Sequence, residues 1–168
     1  MKKIILLSIA TLLFISCNQT QNEECDSLAK ANEQVEKNIN TYKTAWDIFF
    51  ETRDSNAINK DSFDEQVTVV TAEGNISGIE AFRDYYNNYL TGFSDGEFKF
   101  IDIIGQGDRL VKHWNFKGTH DGEFFGVPAT GKKVDISGVT LVRMKNGKIA
   151  AEQDFMDLLD FYTQLGLM

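Results

Sequence analysis

KVDISGVTLVRMKNGKIAAEQDFM, residues 133–156, is the stretch that decides the architecture. Apolar and polar residues alternate on both sides of Lys145-Asn146-Gly147, and a period of two marks a half-buried strand. An Asn-Gly pair between two such runs favours a tight primed hairpin turn. The stretch therefore reads as two antiparallel strands, Lys133–Met144 and Lys148–Met156. Upstream, Phe98–Ile104 and Arg109–Gly118 repeat the pattern around a Gly105-Gln106-Gly107-Asp108 turn. Further upstream the period becomes helical. Ile79, Phe82, Tyr85, Tyr86, Tyr89 and Leu90 share one face of Gly78–Leu90, and Gly92 ends that run. Val35, Ile39, Tyr42, Trp46, Phe49 and Phe50 do the same over Val35–Arg53. Asp54-Ser55-Asn56 breaks this long helix; a short helix over Ala57–Phe63, a strand over Gln66–Thr71 and a turn at Glu73-Gly74-Asn75 are expected next. Helices first and long strands afterwards is an α+β order, with the helices packed on one face of a curved, mostly antiparallel sheet.

The N-terminus carries a different message. Lys2 and Lys3 precede an apolar run, Ile4–Ile15, that closes at Ser16-Cys17. The run falls short of the about 20 apolar residues of a membrane span, but it matches the core of a cleaved export signal. Phe14-Ile15-Ser16-Cys17 resembles a bacterial lipobox, which implies cleavage after residue 16 and diacylation of Cys17. The expected division is a signal peptide over 1–16, a lipidated Cys17 and polar tether over 17–34, and one domain over 35–168. The expected location is the cell envelope, with the soluble domain outside the cytoplasm and held to a bacterial membrane by lipid. Loss of residues 1–16 removes two lysines and no acid, leaving 15 basic against 25 acidic residues and a net charge of −10. Such a balance argues against nucleic acid as a partner. Once Cys17 carries lipid, Cys25 is the one thiol left, so no internal disulfide forms.

Several local strings add up to a family resemblance. Gly107-Asp108-Arg109, Trp114, the run from Gly118 to Lys132, Gly147-Lys148-Ile149, Asp157-Leu158-Leu159 and Gln164-Leu165-Gly166 are similar to the SnoaL-like polyketide cyclase family. The resemblance covers roughly residues 35–168 and implies an NTF2-like cone, a curved sheet wrapped around a long helix with a pocket inside. It also implies that a carboxylate near the end of the last strand acts as acid and base in an aldol ring closure, with no metal and no organic cofactor. Asp157 matches the family's terminal acidic position. Many members carry a His-Trp pair before that position, whereas this chain has Glu152-Gln153-Asp154-Phe155-Met156, a departure that leaves substrate and reaction open.

Strand parity also points to Asp157. Along the last strand Ile149, Ala151, Gln153, Phe155 and Asp157 share one face, the more apolar one, because side chains alternate. A carboxylate among apolar neighbours has its pKa raised and suits proton transfer near neutral pH. The competing role is an N-cap for a helix beginning at Leu158. His120, at the end of a strand, either presents its imidazole at the pocket mouth or makes a structural hydrogen bond in the loop. His113 and His120 have neither helical nor same-face strand spacing and no third partner, so no metal site is expected. The expected pocket lining is Trp46, Phe49, Tyr86, Lys112, Trp114, Phe116 and Gln153, a wall for a hydrophobic small molecule. Within such a wall the Lys112 ammonium must meet an acid such as Asp157 or a bound anion.

Two functions fit these readings. One is a cofactor-independent cyclase or isomerase acting on a small carbonyl compound, with Asp157 as base and His120 assisting. The other is a lipoprotein that uses the same cone, without turnover, to hold a small molecule or to pair with a second subunit as a homodimer.

Overall fold

The computed structural model describes the backbone of residues 2–168 and the side chains of residues 24–168. The expected lipid attachment at Cys17 and the export segment before it lie outside the residues whose side chains are described. In chain order the elements are α1 (Lys2–Thr52), a 3-10 turn (Ser55–Ala57), β1 (Phe63–Thr71), β2 (Gly74–Ser77), α2 (Ile79–Gly92), β3 (Glu97–Gln106), β4 (Arg109–Thr119), β5 (Lys133–Lys145), β6 (Lys148–Met156) and α3 (Leu158–Leu165). The strands form one curved six-stranded sheet in the order β2-β1-β6-β5-β4-β3, antiparallel throughout except for the parallel β1–β6 pair.

The helical spacing in α1 is realised as buried Tyr42, Ala45, Trp46 and Phe49, which pack with Phe82 and Tyr86 of α2 against β1 and β6. A second cluster fills the other end of the sheet, where Phe93, Phe116, Phe124, Ile136 and Phe161 meet. Arg53, in the left-handed region at φ 53, ends α1. Its guanidinium donates to the carbonyls of Leu90 (2.6 Å) and Phe93 (2.8 Å), tying the end of one helix to the end of the other.

Two expectations on the elements are corrected and a third is extended. The helix does not begin near Val35: residues 24–34 of the expected polar tether are helical and exposed. Straight-chain residues with good helix propensity and an i,i+4 pair, Glu33–Lys37 at 2.7 Å, sustain it there. The short helix over Ala57–Phe63 is absent, because Asp54 accepts from the Asn56 N–H and Asn59 from the Asp61 N–H, and such Asx turns compete with helix. The turn at Glu73-Gly74-Asn75 is the tip of a hairpin whose return arm, β2, pairs Ile76 with Val69. Among the described residues no helix is long and apolar enough to cross a membrane.

One irregularity controls the site. In the β5–β6 ladder Arg143 pairs with Ala151 but its neighbour Met144 pairs with Ile149, so Ala150 is an extra residue, a β-bulge. Before the bulge Ile149 faces the core; after it the inward residues are Glu152, Asp154 and Met156, while Gln153 and Phe155 turn to the outer face beside Leu141 and Val139. Uninterrupted alternation therefore assigns the wrong side to the second half of β6.

Gly138 of β5 lies opposite Trp114 of β4. A Cβ there would stand 2.4 Å from Trp114 Cζ2 and 2.6 Å from the Phe155 carbonyl oxygen, so only glycine lets the indole lie on the strand. Gly138→Ala should lower stability by about 1–3 kcal/mol, the usual cost of overpacking. Urea denaturation measures it, and an unchanged midpoint would show that the indole has room to spare.

Candidate functional site

Between α1, α2 and the inner face of the sheet lies a small, half-open pocket of about 30 Å³. Its walls are mostly aromatic: Trp46 and Phe50 from α1, Tyr86 and Tyr89 from α2, and Phe98, Trp114 and Phe116 from β3 and β4. Two charged side chains complete it, Lys112 from β4 and Asp154 from β6.

Behind Asp154 sits a second acid. Glu152 is 1 % exposed. The Trp46 indole N–H donates to its Oε1 (2.8 Å), and Tyr86 Oη lies 2.9 Å from its Oε2. The same phenol oxygen lies 2.8 Å from Asp154 Oδ2. The Thr140 hydroxyl donates to Asp154 Oδ1 and in turn accepts from the Trp114 indole N–H at 3.0 Å.

Counting protons fixes the state of this network. A phenol has one proton, so a full hydrogen bond to each acid needs one of the two protonated and donating to the Tyr86 oxygen. Burial above all pushes the Glu152 pKa up to about 7, against the pull of the Lys112 ammonium, and the Asp154 charge adds to the rise. Glu152 is thus the acid that holds its proton up to about pH 7. Tyr86 stays a phenol, its pKa driven well above the usual value by burial above all and by the Asp154 charge. The resulting chain runs from the Glu152 O–H to Tyr86 Oη and from the Tyr86 O–H to the Asp154 carboxylate.

Of the residues expected in the pocket, Trp46, Tyr86, Lys112, Trp114 and Phe116 line it. Phe49 is buried in the core beside Trp46, and Phe50 takes its place at the wall. Gln153 faces the other side of the sheet because of the bulge. Asp157 is not in the pocket: it is exposed and caps α3, accepting the Asp160 N–H at 3.0 Å. His120 is fully buried between Phe93 and Phe124 rather than at a mouth, with Nδ1 3.1 Å from Thr130 Oγ1. It shares no wall with Asp154. His113 is exposed on β4. Among the described residues no group of three or more His, Cys, Asp or Glu is placed to hold a metal ion.

The raised Glu152 pKa has a sign that can be tested. Between the ordinary value of 4.5 and about 7 the folded state holds a proton that the unfolded state has lost, so stability falls as pH rises through that window and is level above it. The loss is about 3 kcal/mol. Glu152→Gln keeps one acceptor for Trp46 and one donor for Tyr86 but cannot titrate. The stability of the parent relative to this variant should therefore decline between pH 4.5 and 7.5, as read by urea denaturation at each pH. Parallel curves would place the extra proton elsewhere.

Comparison with known proteins comes down to one family. The family model for SnoaL-like polyketide cyclase matches residues 40–165. Aklanonic acid methyl ester cyclase DnrD of Streptomyces peucetius is 41% identical over 92 residues, 54% of this chain and 63% of that protein. Aklanonic acid methyl ester cyclase DauD of Streptomyces sp. (strain C5) is 41% identical over 49 residues, 29% of this chain and 30% of its own length. The chain thus spans less than two thirds of the length of the curated relatives it matches. A solved SnoaL-like structure from Jannaschia sp. CCS1 superposes with a TM-score of 0.73 at 23% identity, covering 80% of this chain and 95% of that one. At that identity the likeness establishes the fold, a mixed α+β cone of the NTF2-like kind.

Proposed function

Because the chain belongs to the SnoaL-like polyketide cyclase family, we propose that its pocket performs cofactor-independent proton transfer on a small, mostly apolar carbonyl compound, with Asp154 as the acid and base. One observation carries this reading: Asp154 is the carboxylate in the aromatic pocket, and it is joined through a single phenol to a second, protonated carboxyl. The Asp154 carboxylate takes a proton from the carbon beside a carbonyl, and the electron pair of that C–H bond becomes an enolate. The enolate carbon then attacks a second carbonyl of the same molecule, closing a ring. The proton on Asp154 passes to the new alkoxide, which restores the carboxylate. Thr140 and Tyr86 hold both Asp154 oxygens and keep the group oriented through the cycle.

Deuterium uptake at the α-carbon of 2-tetralone, followed by proton NMR with the full-length protein, tests the step without knowledge of the natural substrate. Asp154→Asn should slow the uptake by about 10²-fold or more, the ordinary contribution of a positioned base. Uptake no faster with the parent protein than in buffer would overturn the acid–base reading and leave the pocket as a binding site.

We further propose that the chain is an envelope lipoprotein, supported by Lys2-Lys3, the apolar run and the Ser16-Cys17 junction. Cys17→Ser should abolish incorporation of a clickable palmitate analogue in growing bacterial cells. Label that persists in the variant would refute the assignment.

A further inference from the structure

Lys112 is the charged pocket residue whose chemistry the proton chain leaves unused. It stands on β4 between inward-facing Leu110 and Trp114 and is 4 % exposed. Its Nζ sits among four rings, 4.9 Å from the centroid of Phe98, 5.2 Å from Trp46, 5.3 Å from Tyr42 and 5.8 Å from Phe100. Those ring faces favour a cation. Among the described residues no carboxylate oxygen comes within the 4.0 Å of an ion pair with it, and no oxygen accepts a hydrogen bond from it. Burial draws its pKa down while the Glu152 and Asp154 charges draw it up, so the acids act on it across a gap rather than by contact.

An ammonium has three N–H donors, and leaving them unmet in an apolar wall is costly. Rings satisfy the charge but accept none of these donors well. The space the donors can reach is the pocket itself, and Asp154 lines the same space. The pocket thus offers a fixed cation and a carboxylate base to one ligand, with an aromatic wall between for its carbon skeleton. A carbonyl compound that loses an α-proton to the base gathers negative charge on its oxygen, and that oxygen is the acceptor the cation lacks.

We propose that Lys112 touches the substrate: its ammonium binds the carbonyl oxygen and holds it as the enolate forms, while the acidic C–H faces Asp154. This rests on the proton-transfer reading of the pocket. The balance is simple: the proton goes from carbon to Asp154, the C–H electron pair ends as charge on the oxygen, and Lys112 keeps its protons. Specificity follows, since a ligand with an anionic or enolisable oxygen gains a charged hydrogen bond that a hydrocarbon of the same shape does not.

The test uses full-length protein and 2-acetyl-1-tetralone, a bicyclic 1,3-diketone whose enol and enolate differ in ultraviolet absorption. The parent protein should show the enolate band at a pH where the free probe is neutral. Lys112→Met, similar in length and without charge, should lose the band and bind the probe about ten- to a hundredfold more weakly, the effect of losing a charged hydrogen bond. Lys112→Gln should bind the neutral enol and also lack the band, which covers the case of a misfolded Met variant. Tetralin, which has no oxygen, should bind parent and Gln variant alike. An enolate band of equal strength in parent and both variants, or none in the parent, overturns the proposal. Its failure separates from that of the reading beneath it: 2-tetralone exchange lost in Asp154→Asn with a band indifferent to Lys112 removes only the role of Lys112, whereas a Lys112-dependent band with no catalysed exchange removes only the base.

Discussion

The buried carboxyl of Glu152 is where the long helix, the second helix and the last strand are held together. Trp46 reaches it from α1 and Tyr86 from α2, each through one hydrogen bond. A charged carboxylate in that position would suffer the full penalty of burial, whereas a protonated one offers an acceptor to Trp46 and a donor to Tyr86 with no charge to solvate. The two helices are thereby fixed by directional bonds inside an otherwise apolar interface of Tyr42, Phe49, Phe63 and Phe82. The pocket is the volume this arrangement leaves open on the Phe50 and Tyr89 side. A core made of aromatic stacking alone would fix the helix spacing less narrowly, since ring contacts tolerate sliding.

Much of the fold was legible because its long strands obey simple alternation. The Asn146-Gly147 turn, the inward series Leu110, Lys112, Trp114 and Phe116, and the helical spacing of Tyr42, Trp46 and Phe49 all carry a direct signal. What lacked a signal was decided by partners distant in sequence or by local side-chain bonds. β2 is four residues long and exists because β1 offers it an edge. The helix expected after Asp54 gives way to Asx turns that propensity does not register.

The candidate site divides along the same line. Trp46, Tyr86, Lys112, Trp114 and Phe116 were placed at the wall by the regular periods of α1, α2 and β4. Phe49 and Phe50 are adjacent on a helix and both apolar, so period alone does not decide which meets the core and which the cavity. Asp154 and Glu152 were missed because an Ala150-Ala151 doublet gives no notice of a bulge, and a register slip of one residue exchanges the two faces of a strand. For His120 the sequence left open a role at the pocket mouth and a structural hydrogen bond in the loop; Phe93, Phe124 and Thr130 enclose it, with Nδ1 beside the Thr130 hydroxyl.

The bulge also bears on how such a pocket changes over descent. With Ala150 bulged out of the ladder, the inner wall of β6 offers two acids and a methionine; were Ala150 to pair in a regular strand, the same sequence would turn Gln153 and Phe155 inward and put Glu152 and Asp154 in water. Drawing the bulged residue into the ladder is thus equivalent, for the cavity, to several simultaneous substitutions. Chains sharing this cone can therefore diverge in chemistry while remaining alike in sequence along the last strand. Inheritance of function is better traced by the register of β6 than by which acidic letters it contains.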